Sequence, residues 1–144
     1  MELERARGFL RRHRHGVLAT IHRDGRPQLS NILYVLDDDD GRIKISITQT
    51  RVKTRNLRRD PRAALHVQGR DAYEYLVVDG NVALVEGDGL AEKLRDYYKK
   101  ARGEHPNWAE YDAAMITEQR LLVSMSIEHA YGQLPGRRPS RAAL

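Results

Sequence analysis

The sequence predicts a small β-barrel, closed or half-closed, with helices at its periphery. Three observations point there. Hydropathy alternates with period two over much of residues 16–86 and again over 120–127, as expected of strands with one buried face. Short polar turns such as Asp24-Gly25 and the acidic run 37–41 separate the alternating stretches, which suits antiparallel hairpins. The helical stretches are inserted among the strands and do not alternate with them, which argues against a doubly wound parallel sheet. Neither a Gly-rich dinucleotide fingerprint nor a phosphate-loop motif occurs.

Along the chain, residues 2–14 predict an amphipathic helix, with Leu3, Ala6, Phe9 and Leu10 at helical spacing, Arg11, Arg12 and Arg14 in its last turn, and Gly16 as its stop. Residues 16–22 and 27–36 predict two strands across the Asp24-Gly25 turn. In 42–48, Ile43, Ile45 and Ile47 form one face and Arg42, Lys44, Ser46 and Thr48 the other, so one side enters a core and the other meets something polar. A short helix over 53–59 is ended by Asp60-Pro61. Residues 62–68 predict a further strand. The stretch 73–86 is long for one regular strand, and Asp79-Gly80 predicts a bend, bulge or turn within it. Two helices follow, over 90–102 and after Asn107, where Asn107 and Glu110 have capping-box spacing. Trp108, Tyr111 and Met115 share a face of the second, a stripe read as core packing. Residues 120–127 predict the last strand. The expected division is one domain over 1–132 and a basic tail over 133–144.

Composition narrows the function. A chain of 144 residues without cysteine has no disulfide, thiolate metal site or thiol nucleophile. The histidines lack ligand spacing, so no metal is expected, and no serine-hydrolase elbow is present. The charged N-terminus is unlike a secretory signal and no stretch is apolar enough to span a membrane, so the expectation is a cytoplasmic protein without membrane contact. Residues 51–62 carry six Arg or Lys against one Asp, an excess equal to the net +5 of the whole chain. Nucleic acid is not expected as a partner, because no aromatic residue interleaves with that run to stack on bases.

The segment 46–56 carries the chemistry. Ser46 and Thr48 lie on the polar face of their strand. A short loop then presents Arg51 and Lys53 where a helix begins near Thr54. Hydroxyls, a guanidinium fork, an ammonium and open helix N–H groups can form a phosphate cradle. A solvated basic turn is the other reading of the same residues.

The segments GVLATIHRDGRPQLSNILY and SITQTRVKTRNLRRDPRAALHV resemble the pyridoxamine-phosphate-oxidase-like family, and within it the branch that uses the deazaflavin coenzyme F420. DAYEYLVVDGNVALVE, GEHPNW and IEHAYGQLPG are similar in the same order. The resemblance implies a mainly β fold with peripheral helices, a split β-barrel of the FMN-binding kind. It also implies a homodimer with cofactors at the subunit interface. By position, Arg51 and Lys53 would hold the cofactor phosphate with Thr54 beside them. Gln28 and Ser30 would lie along the flavin-like ring, Ser46 and Ile47 near the ring edge and ribityl chain, and Tyr73 and Tyr75 would reach in from a second subunit. The implied activity is F420-dependent hydride transfer involving an electron-poor small organic substrate, with no catalytic side chain designated. FMN in place of F420, or a non-catalytic carrier or sensor of flavin or haem, are the alternatives. The tail holds Arg137, Arg138 and Arg141 but no tryptophan, so the vitamin-oxidising activity of other members is not implied. Tyr73 stands where close relatives often carry tryptophan.

Overall fold

The computed structural model describes residues 1–135; Arg137, Arg138, Arg141 and the rest of 136–144 lie outside the described residues. The elements are α1 (Leu3–Arg11), β1 (His15–Ile21), β2 (Pro27–Leu33), β3 (Val35–Asp37), β4 (Arg42–Thr48), α2 (Val52–Arg59), β5 (Arg62–Gln68), β6 (Tyr75–Val85), α3 (Leu90–Arg102), α4 (Trp108–Thr117), β7 (Arg120–Met125) and β8 (His129–Gln133). The described strands form one curled antiparallel sheet in the order β2-β1-β5-β6-β7-β4-β3, with β8 on β6. β2 comes up beside β4 without a hydrogen-bonded ladder, which leaves a seam. The expected mainly β split barrel with peripheral helices is the fold observed.

Alternation places the core. Ile43, Ile45 and Ile47 point inward from β4 and meet Leu18 of β1, Leu65 and Val67 of β5 and Val123 of β7, all essentially inaccessible. α1 covers one end of this interior with Ala6, Phe9 and Leu10, and the Tyr34 hydroxyl donates to the Leu10 carbonyl at 2.9 Å. A second cluster lies outside the sheet, where Leu94 and Tyr97 of α3 and Tyr111 of α4 pack on Val35 and Leu122. α4 has the expected cap: Asn107 Oδ1 accepts from the Glu110 amide at 3.1 Å.

Several elements depart from expectation. α1 ends at Arg11, and Gly16 is a residue of β1 and not the helix stop. A Cβ at Gly16 would come 2.8 Å from the His66 carbonyl, so glycine serves close strand packing there. Residues 27–36 form two strands separated at Tyr34, whose buried ring turns inward. β6 is a single strand of 11 residues that passes through Asp79-Gly80. Its first part pairs with β5 and β8 and its last four residues with β7, so it joins the two halves of the sheet. Gly80 sits at this crossing because a Cβ would fall 1.7 Å from the Ser126 carbonyl. β8 was not expected, and Leu134 just beyond it is buried in the core. No helix among the described residues is long and apolar enough to cross a membrane.

Candidate functional site

β4 runs along the seam and hands the chain to α2 through residues 49–51. Arg51 is the N-cap of α2, in extended conformation and with no side-chain cap bond. The first turn holds no acidic residue, so the open N–H groups and the positive helix end are unneutralised. Within the basic run the structure separates two kinds of cation. Arg58 is held bidentately by Glu86 at 2.9 and 2.5 Å, Arg59 donates to the Ile21 carbonyl and to Asn56, and Arg62 pairs with Asp60 at 2.8 Å. Arg51 and Lys53 have no ion-pair partner among the described residues. The Lys53 ammonium has its pKa lowered from the ordinary lysine value, chiefly by burial and then by the charges of Arg51 and Arg120. Two guanidinium groups beside a half-buried lysine create a field that an anion would relieve.

Arg120 was not singled out from the sequence. It opens β7 and pairs in register with Thr48, the last residue of β4. Its guanidinium donates to the Ser46 carbonyl at 3.3 Å and to Glu118 at 3.0 and 3.1 Å. Only sheet register brings it beside Lys53, and nothing local in the sequence signals that.

Thr54 is fully buried and its hydroxyl donates to the Thr48 carbonyl at 2.7 Å. It therefore braces the loop that presents Arg51 and Lys53. Ser46 lies on the half-buried outer face of β4, whereas the Ile47 side chain is in the core, leaving its backbone as the part a ligand could meet. Gln28 is tied to α2 by a relay: Asn56 donates to the Thr20 hydroxyl at 3.1 Å, which donates to Gln28 Oε1 at 2.7 Å. Ser30, two residues on along the same face of β2, has a buried hydroxyl without a hydrogen-bond partner among the described residues. An orphaned hydroxyl beside a seam is a place where a polar ligand atom would be satisfied.

Tyr73 and Tyr75 lie elsewhere. Tyr75 stacks on His66 with ring centroids 5.5 Å apart, and Tyr73 is exposed on the preceding loop. Tyr75 pairs with Gln68, whose register on β1 corresponds to His15, while Gln28 pairs with Thr20. Five residues of β1 separate the two levels, about 17 Å at the usual strand rise. One chain does not bring these tyrosines to the cationic loop.

A split antiparallel barrel with an unneutralised cationic loop at a strand-to-helix junction defines a class, the small split-barrel proteins. The chain belongs to the pyridoxamine 5'-phosphate oxidase family, which it matches over residues 3–133. Among solved structures it is similar to a conserved hypothetical protein of Mycobacterium tuberculosis, with 23% identity, TM-score 0.74, and coverage of 100% of this chain and 95% of that one. It is similar to an F420 reductase at 25% identity and TM-score 0.67, covering 88% of this chain and 95% of that one. HutZ, the haem storage protein of Vibrio cholerae, matches at 19% identity and TM-score 0.67, covering 92% of this chain and 95% of that one. The first and third of these likenesses speak for the fold alone.

Proposed function

We propose that this protein is an F420-dependent oxidoreductase acting as a homodimer in the cytoplasm. The observation that carries the reading is the pair Arg51 and Lys53, left without counter-charge at the start of α2, while Arg58 and Arg62 of the same run are paired with Glu86 and Asp60, and Arg55 and Arg59 are tied down on the Thr50 and Ile21 carbonyls. That donor set fits a phosphate: a fork, a point charge and open helix amides. The orphaned Ser30 hydroxyl and the oriented Gln28 fit the polar edge of a flavin-like ring along the seam. The likeness to an F420 reductase favours the deazaflavin over FMN, and the net +5 of the chain suits a polyanionic tail. Bound there, the cofactor supplies hydride exchange with an electron-poor organic partner. The chain's own residues bind and orient: Arg51 and Lys53 neutralise the phosphate, Thr54 fixes their loop, and the Asn56–Thr20–Gln28 relay holds the β2 edge against α2.

The dimer reading rests on a sheet face that no helix of the described chain covers. Val17, Ala19, Leu29, Ala64, Val77 and Tyr131 point outward from the β2-β1-β5-β6-β8 half, with Leu29 63% and Tyr131 54% exposed. A second copy on this face would cover it and would bring Tyr73 and Tyr75 to a cradle their own chain does not offer. The test is anaerobic oxidation of reduced F420 by a panel of quinones, enones and nitroaromatics. Acceptor-dependent oxidation that is lost in Lys53→Ala supports the reading. Absence of any oxidation together with turnover on FMN overturns it in favour of an FMN enzyme.

A further inference from the structure

A cavity of about 470 Å³ opens between α3, α4 and the start of β7, with Arg120 in its lining. Its size is within the range of small-ligand sites. Its walls are hydrocarbon: Leu90, Ala91 and Leu94 from α3, Met115 and Ile116 from α4, and Leu121 from β7. Ile116 at the rim is 78% exposed. The two carboxylates that border the cavity are already satisfied, Glu86 by Arg58 and Asp112 by Arg95, so neither calls for a cation. The opposite end is polar and holds Gln49, Gln119 and Arg120. Gln119 has φ of 54°, the one non-glycine residue in the left-handed region among the described residues. Its amide-bearing side chain is thus placed by a backbone that is costly to adopt. The Gln49 backbone N–H donates to the Gln119 backbone carbonyl at 2.9 Å, which ties the two chain segments together at this end of the cavity.

We propose that this cavity binds a small amphipathic monocarboxylate, with its carboxylate on Arg120 between Gln49 and Gln119 and its hydrocarbon body against Leu90, Leu94 and Met115. The charge pattern selects that class. A single guanidinium fork with flanking amides matches one planar carboxylate, whereas a phosphate dianion is better served by Arg51 and Lys53 outside the cavity. The fork already holds a carboxylate, that of Glu118, in an exposed pair. Exposed pairs contribute little, so a ligand carboxylate with a buried tail can displace Glu118. The proposal does not rest on the cofactor reading, because none of these residues belongs to the phosphate cradle except through the shared field of Arg120.

Isothermal titration of the full chain with hexanoate, octanoate and decanoate, below their micellar concentrations, tests it. The expected result is one site per chain with affinity rising about fourfold for each added methylene. Octylamine should bind at least tenfold more weakly than octanoate, and Arg120→Gln should reduce octanoate to the affinity of octanol. Ala91 is exposed on α3, so Ala91→Trp should fill the cavity and abolish octanoate binding while leaving the melting temperature and inorganic phosphate binding at the cradle unchanged. Met115→Trp serves the same purpose if Ala91→Trp does not fold. Equal binding of octanoate and octylamine, or octanoate binding unaltered by a folded cavity-filling variant, overturns the proposal.

Discussion

Replacement of Arg51 or Lys53 by alanine is the perturbation on which the cradle stands or falls. Neither side chain has an ion-pair partner among the described residues, so removing it frees no buried countercharge and should leave the fold intact. A hydrogen bond to a charged group contributes roughly 1.5–3 kcal/mol, so each substitution should weaken cofactor affinity by about 10- to 150-fold. Lys53 adds a pH signature. Burial and then Arg51 and Arg120 lower its pKa, whereas a bound anion favours the charged ammonium. Affinity is therefore full below that lowered pKa and declines as pH rises through it. Arg51→Ala removes one repelling charge, raises the Lys53 pKa and moves the decline to higher pH. Salt should reduce the losses, since part of the attraction is screened. Fluorescence titration of wild type and variants from pH 6 to 10 measures all of this. Arg58→Ala is the control: its partner Glu86 is exposed, and affinity should stay within about twofold. Arg59→Ala should act instead on stability, by about 1 kcal/mol, through its lost bonds to Ile21 and Asn56. Equal affinity losses at positions 51, 53, 58 and 59 would refute the reasoning and indicate a diffuse basic patch.

Three further outcomes follow from the packing. Asp37 is buried; burial alone would raise its pKa, but hydrogen bonds from Lys100, the Asp39 amide and Lys44 outweigh it and hold the carboxyl below its ordinary value. That stabilisation is present above the unfolded pKa of about 4 and is lost as pH falls through the folded one. Asp37→Asn should thus lower stability by about 3 kcal/mol at pH 7 and flatten acid unfolding below about pH 4, as urea melts across pH would record. Gly80→Ala drives a methyl group into the Ser126 carbonyl and should cost at least about 3 kcal/mol; a melting temperature within a few degrees of wild type would contradict the crossing. Ala64→Arg, in the middle of the outward apolar face, should reduce the light-scattering mass from about twice the 16.5 kDa chain to one chain, and a dimer that survives it would place the interface elsewhere.

Local patterns made most of the barrel legible. The alternation of Ile43, Ile45 and Ile47 specified the inward face of β4, and the six cations of 51–62 marked the helix that follows. What was hidden depends on partners far along the chain. Asp79-Gly80 looks like a turn in isolation, yet β6 continues because Ser126, 46 positions later, crosses there and needs the space a Cβ would take. β8 is short and lacks strict alternation; it is a strand because β6 offers it an edge. In the site, the basic run could be seen, but not which members were free: Glu86 and Asp60 decide that. Arg120 joins Lys53 only through the pairing of β7 with β4. The separation of Tyr73 and Tyr75 from Gln28 is likewise a matter of sheet register.

The central claim is that the junction of β4 and α2 holds the phosphate of a deazaflavin. Anaerobic fluorescence titration of the pure protein with F420 and with FMN, in one buffer and alongside Lys53→Ala, addresses it most directly. The account predicts one F420 per chain, bound more tightly than FMN, and at least about tenfold weaker F420 binding in the variant. Tighter binding of FMN, or F420 affinity unchanged by Lys53→Ala, would contradict it.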